Sequence, residues 1–133
     1  MENQNTGKFS HLIKVQESYI DELGHVNNVV YLRWVQEVAT AHWHHAASEA
    51  LQAIYAWVVI RHEIDYYQPA FLADEIMGYT WVGEHQGAKF ERYVRLCRAG
   101  TDKVLAEAKT TWCLLDAKTF RPKRIEQDLL SLL

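Results

Sequence analysis

The apolar segment from Val29 to about Ala50 restricts the possible folds of this chain more than any other feature. Its apolar and aromatic side chains recur every three or four residues, which is the period of an α-helix. They form two adjacent rows, namely Tyr31, Val35, Val38 and His42, and Leu32, Ala39, Trp43 and Ala46. Two adjacent rows make a wide apolar face, so we expect other elements to wrap this helix rather than cover only one side of it.

The remainder of the chain is predicted to be mostly strands. Apolar and polar side chains alternate, as in half-buried strands, in five segments: 9–19, 57–67, 75–83, 88–97 and 103–115. Short turn-like separators favour antiparallel hairpins between the last three. Residues 1–7 are predicted to be a loose polar tail, and residues 126–133 a short helix. One strand, one long helix and four strands predict a single α+β domain over residues 1–133, with one sheet curled around one helix.

Large aromatic side chains occur on both alternating positions of the later strands, as at Tyr79, Trp81 and Trp112. The single long helix can cover only one face of the sheet. We therefore expect the other face to meet a second copy of the chain, as a homodimer or a homotetramer.

Composition argues against several classes of protein. The net charge of −3 does not suit a general nucleic-acid binder, and the basic residues between Lys118 and Arg124 are interpreted as a solvated loop. No uninterrupted apolar window approaches the ~18 residues of a membrane span. Because residues 1–10 are polar, no signal peptide is predicted, and we expect a cytoplasmic protein. Cys97 and Cys113 lie in strand-like segments and are predicted to be buried free thiols.

The predicted helix also contains His42, His44 and His45. A set of four ligands with zinc spacing is absent from the sequence, so no metal site is predicted.

The turn before the helix concentrates polar residues with chemical potential, namely Asp21, Gly24, His25, Asn27 and Asn28. Asn27 or Asn28 can cap the helix by accepting from a backbone N–H of its first turn. A helix start carries unpaired N–H donors and positive potential, which suits an anion or a developing oxyanion. The sequence therefore predicts a carboxylate next to an oxyanion-binding turn. A purely structural alternative is that Asp21 is a helix-start charge and that His25 packs the turn and orients Asp21.

This turn and the helix after it resemble the signature of the hotdog-fold acyl-CoA thioesterases of the 4-hydroxybenzoyl-CoA thioesterase type. The residues that carry the resemblance are Asp21, Gly24, His25, Val26, Asn27, Asn28, Tyr31 and Trp34. Later segments at 63–75, 87–90 and 104–108 are similar to the strands of that family, so the likeness extends over roughly residues 9–125.

The resemblance implies a sheet wrapped around the helix, dimers with joined sheets, and active sites at the dimer interface. It assigns the catalytic aspartate to Asp21, as nucleophile or general base, and the donor to the thioester carbonyl to the backbone N–H of Asn28. His25 is also predicted to belong to the catalytic site, where it either orders Asp21 or takes part directly in the chemistry. Many members have a second acidic residue two positions earlier, where this chain has Tyr19. Expected substrate contacts are Tyr31, Arg61, His62 and Lys89. Lys89, with Arg92 and Arg95, either holds coenzyme A phosphates or is an outward strand charge.

The expected reaction is hydrolysis of acyl-CoA thioesters, with coenzyme A as part of the substrate and no separate cofactor. A thiol has a pKa near ~8.5 and leaves as a thiolate without a strong general acid, so one carboxylate and an oxyanion site suffice. Two alternatives stay open: a hotdog dehydratase or hydratase that pairs His25 with Glu37, and a non-catalytic dimer that binds acyl-CoA. The acyl group and the choice between coenzyme A and acyl-carrier-protein donors are also open.

Overall fold

The long helix, α1, runs from Asn28 to Ala46 in a computed structural model of the protein, which describes residues 8–133. The predicted tail at residues 1–7 lies outside the described residues. The helix ends earlier than predicted because Ala47 is extended and Ser48 caps a second helix, α2, at Glu49–Ile54. The hydroxyl of Ser48 accepts from the N–H of Leu51 at 3.2 Å, so the apolar run is divided by a new N-cap.

Five antiparallel strands form one sheet, which confirms the predicted α+β class. The strands are β1 (Phe9–Lys14), β2 (Tyr55–Tyr66), β3 (Glu75–Gln86), β4 (Lys89–Arg98) and β5 (Val104–Asp116), in the order β1-β3-β4-β5-β2. The first strand is shorter than predicted, because a 3₁₀ turn occupies Glu17–Tyr19. A short helix, α3, at Gln127–Leu130 follows the sheet.

The sheet covers one side of α1 rather than its whole circumference. The buried side comprises Val30, Tyr31, Trp34, Val35, Val38, Ala39 and Trp43. On the opposite side, Arg33, Gln36 and Glu37 are exposed. Within one protomer the helix is therefore amphipathic, and the sheet packs against its apolar side, which confirms the predicted arrangement of one sheet around one central helix.

The helix approaches the sheet closely at Gly78 of β3. A Cβ atom built at this glycine would overlap Cγ2 of Val38 and lie 3.4 Å from Cδ2 of Leu96, and both of these side chains are fully buried. We expect Gly78→Ala to lower the free energy of unfolding by about 1–3 kcal/mol, because neither neighbour can move without repacking the core. Denaturant titration measures this loss.

The matched control is Gly83→Ala on the same strand. Its added methyl group would meet the ring edge of Tyr93 and Cβ of Glu91, side chains that are only partly buried and can move. A smaller loss is expected there. Equal losses for the two variants would contradict the close packing assigned to Gly78.

A β-bulge at Ile60 changes which residues of β2 face the helix: odd-numbered residues face it before the bulge and even-numbered residues after it. Val59 lies opposite Trp112 and Arg61 opposite Thr111, so Ile60 has no partner on β5. The side chains that face the helix are Tyr55, Trp57 and Val59 before the bulge and His62 and Ile64 after it. The bulge therefore turns His62 inward and Arg61 outward.

The face of the sheet away from α1 carries both charged and aromatic side chains. Trp112 lies on the helix side, in a buried cluster with Trp43 and Phe90. The outer face bears an Arg95–Glu107 ion pair of 2.7 Å and a Lys109 ammonium between two carboxylates, those of Glu63 and Glu91. Tyr79, Trp81 and Tyr93 also lie on this face and are only partly buried, so its covering by a second copy of the chain stays a prediction.

The two cysteines, Cys97 and Cys113, are free and buried, as predicted. Within residues 8–133, none of the helices combines the length and the apolar character that crossing a bilayer requires.

Candidate active site at the start of the long helix

A short hairpin-like loop leads into α1 and is held on both sides. Ile20 and Val26 form an antiparallel bridge, and the N–H of Asn27 donates to the carbonyl of Tyr19 at 2.9 Å. On the other side, the N–H of Val26 donates to the carbonyl of Ala70 at 2.9 Å. These bonds fix the position of the loop relative to the helix and to the segment after β2.

The carboxylate of Asp21 has one oxygen engaged by the loop. Its Oδ1 accepts from the N–H of Leu23 at 2.9 Å and from the N–H of His25 at 3.3 Å. No hydrogen bond to Oδ2 is formed within residues 8–133, and the side chain is half-buried. Gly24 permits this turn because it adopts a φ of 85°, which side chains disfavour. The loop thus presents a positioned carboxylate with one oxygen left for chemistry.

The first turn of α1 leaves one backbone donor unpaired. Asn27 is the N-cap, and its side chain accepts from the N–H of Val29 at 3.0 Å. The N–H of Val30 donates to the carbonyl of Asn27 at 2.9 Å. The N–H of Asn28 has no acceptor among the described residues, so it is available at the electropositive end of the helix.

A cleft of about 180 Å³ opens beside this helix start. It is lined by His25, Val26, Asn28, Tyr31, Tyr66, Tyr67, Gln68 and Pro69. The hydroxyl of Tyr66 donates to the carbonyl of Asn28 at 3.3 Å, which holds the helix start to the end of β2. His25, Asn28 and Tyr31, three of the predicted site residues, therefore meet in one cleft. Asp21 lies on the loop beside it but is not among the lining residues.

Tyr31 has a structural role in this cleft. Its hydroxyl accepts from the N–H of Ala70 at 2.9 Å, and burial raises the pKa of Tyr31 above its usual value. Tyr66 and Tyr67, by contrast, were missed by the sequence interpretation. The available signal was a pair of tyrosines just before the Gln68-Pro69 strand break.

The other predicted substrate contacts lie elsewhere in the protomer. His62 faces the helix, with Nδ1 2.9 Å from Oγ1 of Thr110, and burial lowers the pKa of His62. Arg61 is exposed and pairs with Glu63 at 2.9 Å.

Lys89 begins β4 at the opposite end of the sheet from Tyr66. It is in register with Cys113 on β5, whereas Tyr66 is in register with Ala106. Seven residues separate these two β5 positions, or about 23 Å along the strand. Arg61, His62 and Lys89 are thus not gathered at Asn28 within one subunit.

The helix histidines do not form a metal-binding group. His42 stacks on Phe9 with ring centroids 4.9 Å apart, and His44 and His45 are exposed. Across residues 8–133, no three His, Cys, Asp or Glu side chains are arranged to hold a metal ion.

Comparison with known proteins places this geometry in context. A family model described as the thioesterase-like superfamily matches residues 15–133. A probable thioesterase from Escherichia coli is 26% identical, with 92% of this chain and 94% of that chain covered and a TM-score of 0.77. No curated protein sequence matches the chain.

Two more distant structures share the fold. A 1,4-dihydroxy-2-naphthoyl-CoA thioesterase from Synechocystis has 17% identity, 95% coverage of both chains and a TM-score of 0.80. A Staphylococcus aureus protein solved in complex with CoA has 13% identity, coverage of 94% of this chain and 80% of that chain, and a TM-score of 0.80.

Proposed function

The chain belongs to the thioesterase-like superfamily and is a thioester hydrolase of the hotdog fold, and from this premise we propose that it converts acyl-CoA thioesters into carboxylic acids and coenzyme A. The observation that supports this proposal is the position of the Asp21 carboxylate, whose Oδ2 is not engaged by the loop. The loop ends at the start of α1, where the N–H of Asn28 has no acceptor among the described residues. The structural neighbour in complex with CoA supports a coenzyme A ester as the donor. Coenzyme A is then part of the substrate, and the reaction needs no cofactor.

Asp21 supplies the reacting carboxylate. Oδ1 is held by two backbone N–H groups, which leaves Oδ2 to attack the thioester carbon directly or to take a proton from an attacking water. The thioester oxygen gains negative charge in either case. The N–H of Asn28, at the positive end of α1, is the donor that stabilises this oxyanion. Collapse of the tetrahedral intermediate breaks the C–S bond and releases the thiolate. If water attacked, the carboxylic acid is already formed, and the proton held by Asp21 passes to the thiolate or to solvent. If Oδ2 attacked, the acyl group is left as an anhydride on Asp21, and a water hydrolyses this anhydride to release the carboxylic acid and restore the carboxylate.

His25 positions Asp21 through its backbone. Its N–H donates to Oδ1 of Asp21 at 3.3 Å, and its carbonyl accepts from the N–H of Asp21 at 2.8 Å. Its ring packs edge-on against Phe71, with centroids 5.8 Å apart, and lines the substrate cleft; within residues 8–133 the ring makes no hydrogen bond to the carboxylate of Asp21. We assign it an ordering role, with Tyr31 forming the floor of the cleft.

The active unit is a homodimer joined through β2. In the described part of the chain, β2 pairs only with β5, so one edge of a strand of 12 residues has unpaired backbone groups. Val58 and Ile60 on this strand are 40% and 50% exposed. The other edge strand, β1, has only 6 residues. Antiparallel pairing of two β2 strands is therefore the contact that provides hydrogen-bond partners for the unpaired backbone groups of the longer edge strand.

This pairing also accounts for the scattered substrate contacts. Two β2 strands related by a twofold axis near Ile60 place the Tyr66 end of one subunit beside the Tyr55 end of the other. Tyr55 lies at the same end of the sheet as Lys89. The partner's Lys89 end then lies next to Asn28, where a basic side chain can bind coenzyme A phosphates.

The dehydratase alternative has no support from the geometry. Glu37 pairs with His11 at 2.9 Å and follows Asn28 by nine residues of helix, about 13 Å. His25 and Glu37 therefore do not form an acid–base pair within the subunit.

Release of free thiol from a panel of acetyl-, benzoyl- and long-chain acyl-CoA esters tests the proposed reaction. Many turnovers per enzyme are expected with at least one ester, because the site holds both a carboxylate and an oxyanion donor. Binding of every ester without thiol release would instead indicate the non-catalytic dimer. Addition of water to an enoyl-CoA, followed by loss of the enoyl absorbance, would indicate the dehydratase.

A further inference from the structure

A second cavity, of about 310 Å³, lies near the far end of α1 from Asn28. Ala39 and Trp43 line it and follow Asn28 by eleven and fifteen residues, about 16 and 22 Å along the helix. Within one subunit it is therefore separate from the cleft beside His25. Five aromatic residues form much of its wall, namely Trp43, Tyr55, Trp57, Phe90 and Trp112.

The aromatic wall is suited to flat ring systems. Trp57 lies edge-on to Trp43, with centroids 5.6 Å apart, and edge-on to Phe90, with centroids 4.9 Å apart. An apolar cavity of about 150 Å³ holds one benzene molecule, so this volume is sufficient for a body of about two rings. No carboxylate is among the lining residues.

Arg92 of β4 also lines this cavity, although it is only 2% exposed. Of the two roles that the sequence left open for Arg92, a contact to coenzyme A phosphates or an outward strand charge, the outward strand charge is therefore wrong. Its Nη1 donates to Nδ1 of His42 at 2.9 Å and to Oγ1 of Thr80 at 3.0 Å. The N–H groups of Nε and Nη2 have no acceptor in the described part of the chain.

The positive charge of Arg92 is uncompensated. Burial lowers the pKa of Arg92 to about 10, so the guanidinium stays charged at neutral pH. His42, which accepts a hydrogen bond from Arg92, is uncharged at neutral pH, because burial and the charge of Arg92 lower the pKa of His42 to about 4. None of the ion pairs within residues 8–133 includes Arg92.

A buried charge without a counter-ion is costly, and a carboxylate on the free N–H groups would offset this cost. The indole N–H of Trp112, which also lines the cavity, is buried without an acceptor among the described residues. The cavity therefore combines apolar walls with unpaired donors, which is the usual composition of a small-molecule site.

We propose that this cavity binds an aromatic carboxylate of about two rings, with its carboxylate on Nε and Nη2 of Arg92 and its rings among the tryptophans. The planar guanidinium offers parallel N–H donors that match the two oxygens of a carboxylate. The binding site itself is inferred independently of the proposed function. Only the source of the bound carboxylate rests on that function. That source is either a distal carboxylate on the acyl group of a substrate or a free carboxylic acid.

Calorimetric titration of the wild-type protein at neutral pH tests the binding. The probes are 2-naphthoate and the neutral 2-naphthamide, which have nearly the same shape. Naphthoate is expected to bind at least about tenfold more tightly, because a charged hydrogen bond is stronger than a neutral one. Equal affinity of the two probes, or no binding of naphthoate at millimolar concentration, would overturn the proposal.

Two variants locate the binding charge. Arg92→Met is expected to abolish the preference for naphthoate over naphthamide. Lys109→Met removes the same charge from the outer face of the sheet, where Lys109 pairs with Glu63 and Glu91, and should leave the preference unchanged. An unchanged preference in Arg92→Met would overturn the assignment. If Arg92→Met did not fold, the wild-type comparison of the two probes would still decide the question.

A hydrolysis assay distinguishes the two sources of the carboxylate. It compares the CoA thioester of an aromatic dicarboxylic acid with the same thioester carrying a methyl ester at its distal end. A tenfold preference in kcat/KM for the free acid, lost in Arg92→Met, supports a carboxylate of the substrate. Naphthoate binding without this preference supports a free acid. Calorimetry requires no turnover, so an absence of hydrolysis would overturn the proposed function but not the binding site.

Discussion

Asp21→Asn is expected to lower kcat for thioester hydrolysis by at least about 100-fold, since carboxylate catalysis of this kind contributes roughly 10²–10⁴-fold. Asparagine keeps a side-chain oxygen that can accept from the N–H groups of Leu23 and His25. The turn should therefore persist while the nucleophile or base is lost. Thiol-release kinetics measure the effect, and circular dichroism checks the fold.

The matched control for this variant is Glu37→Gln, which makes the same change from carboxylate to amide. Glu37 is exposed on α1 and pairs with His11, so its kcat should stay within a few-fold of the wild-type value. Near-normal kcat in a folded Asp21→Asn protein would remove Asp21 from the mechanism. A collapse in Glu37→Gln alone would restore the dehydratase-like arrangement.

The double variant Val58→Lys/Ile60→Lys is expected to be a monomer at micromolar concentration and to lose at least about tenfold in specific activity. Both side chains are exposed on the unpaired edge strand β2. Burying an apolar surface is worth about 25 cal/mol per Å², and lysine on an edge strand opposes pairing with another edge. Activity should fall because, in the proposed dimer, each site is completed by the other subunit. Sedimentation and thiol release measure the two effects.

Leu12→Lys on β1 is the control for this variant. Leu12 is 44% exposed on the other edge strand, so the change places one lysine on an edge that the proposed dimer does not use. The dimer and its activity should survive. A wild-type protein that is a fully active monomer, or a Leu12→Lys variant that dissociates, would contradict the β2 interface.

Local features of the fold could be predicted from the sequence alone. The period of the apolar residues identified α1, and alternation identified the strands, because both patterns depend only on the geometry of a single element. The cap at Asn27 and the positive φ of Gly24 depend on residue types within one turn. Ser48 was missed as a second N-cap, because the apolar pattern continued past it.

Much of the candidate site was predictable for the same reason. Asp21, His25 and Asn28 lie within eight residues, so a single loop brings them together whatever the rest of the chain does. Tyr66 joins them only because β2 ends beside the helix start, and its bond to Asn28 spans 38 residues of sequence.

What the sequence by itself determined is the set of elements and the loop that joins a carboxylate to a helix start. Only the tertiary structure decided which side chains of the strands face inward. The alternation of side chains along a strand does not by itself say which set faces the core, and a one-residue bulge exchanges the inward and outward sets. The bulge at Ile60 thus turns His62 toward the helix and Arg61 away from it. Arg92 shares the alternating positions of Phe90, Val94 and Leu96 on β4, but its burial against His42 depends on how that face packs on α1, which only the tertiary structure decided.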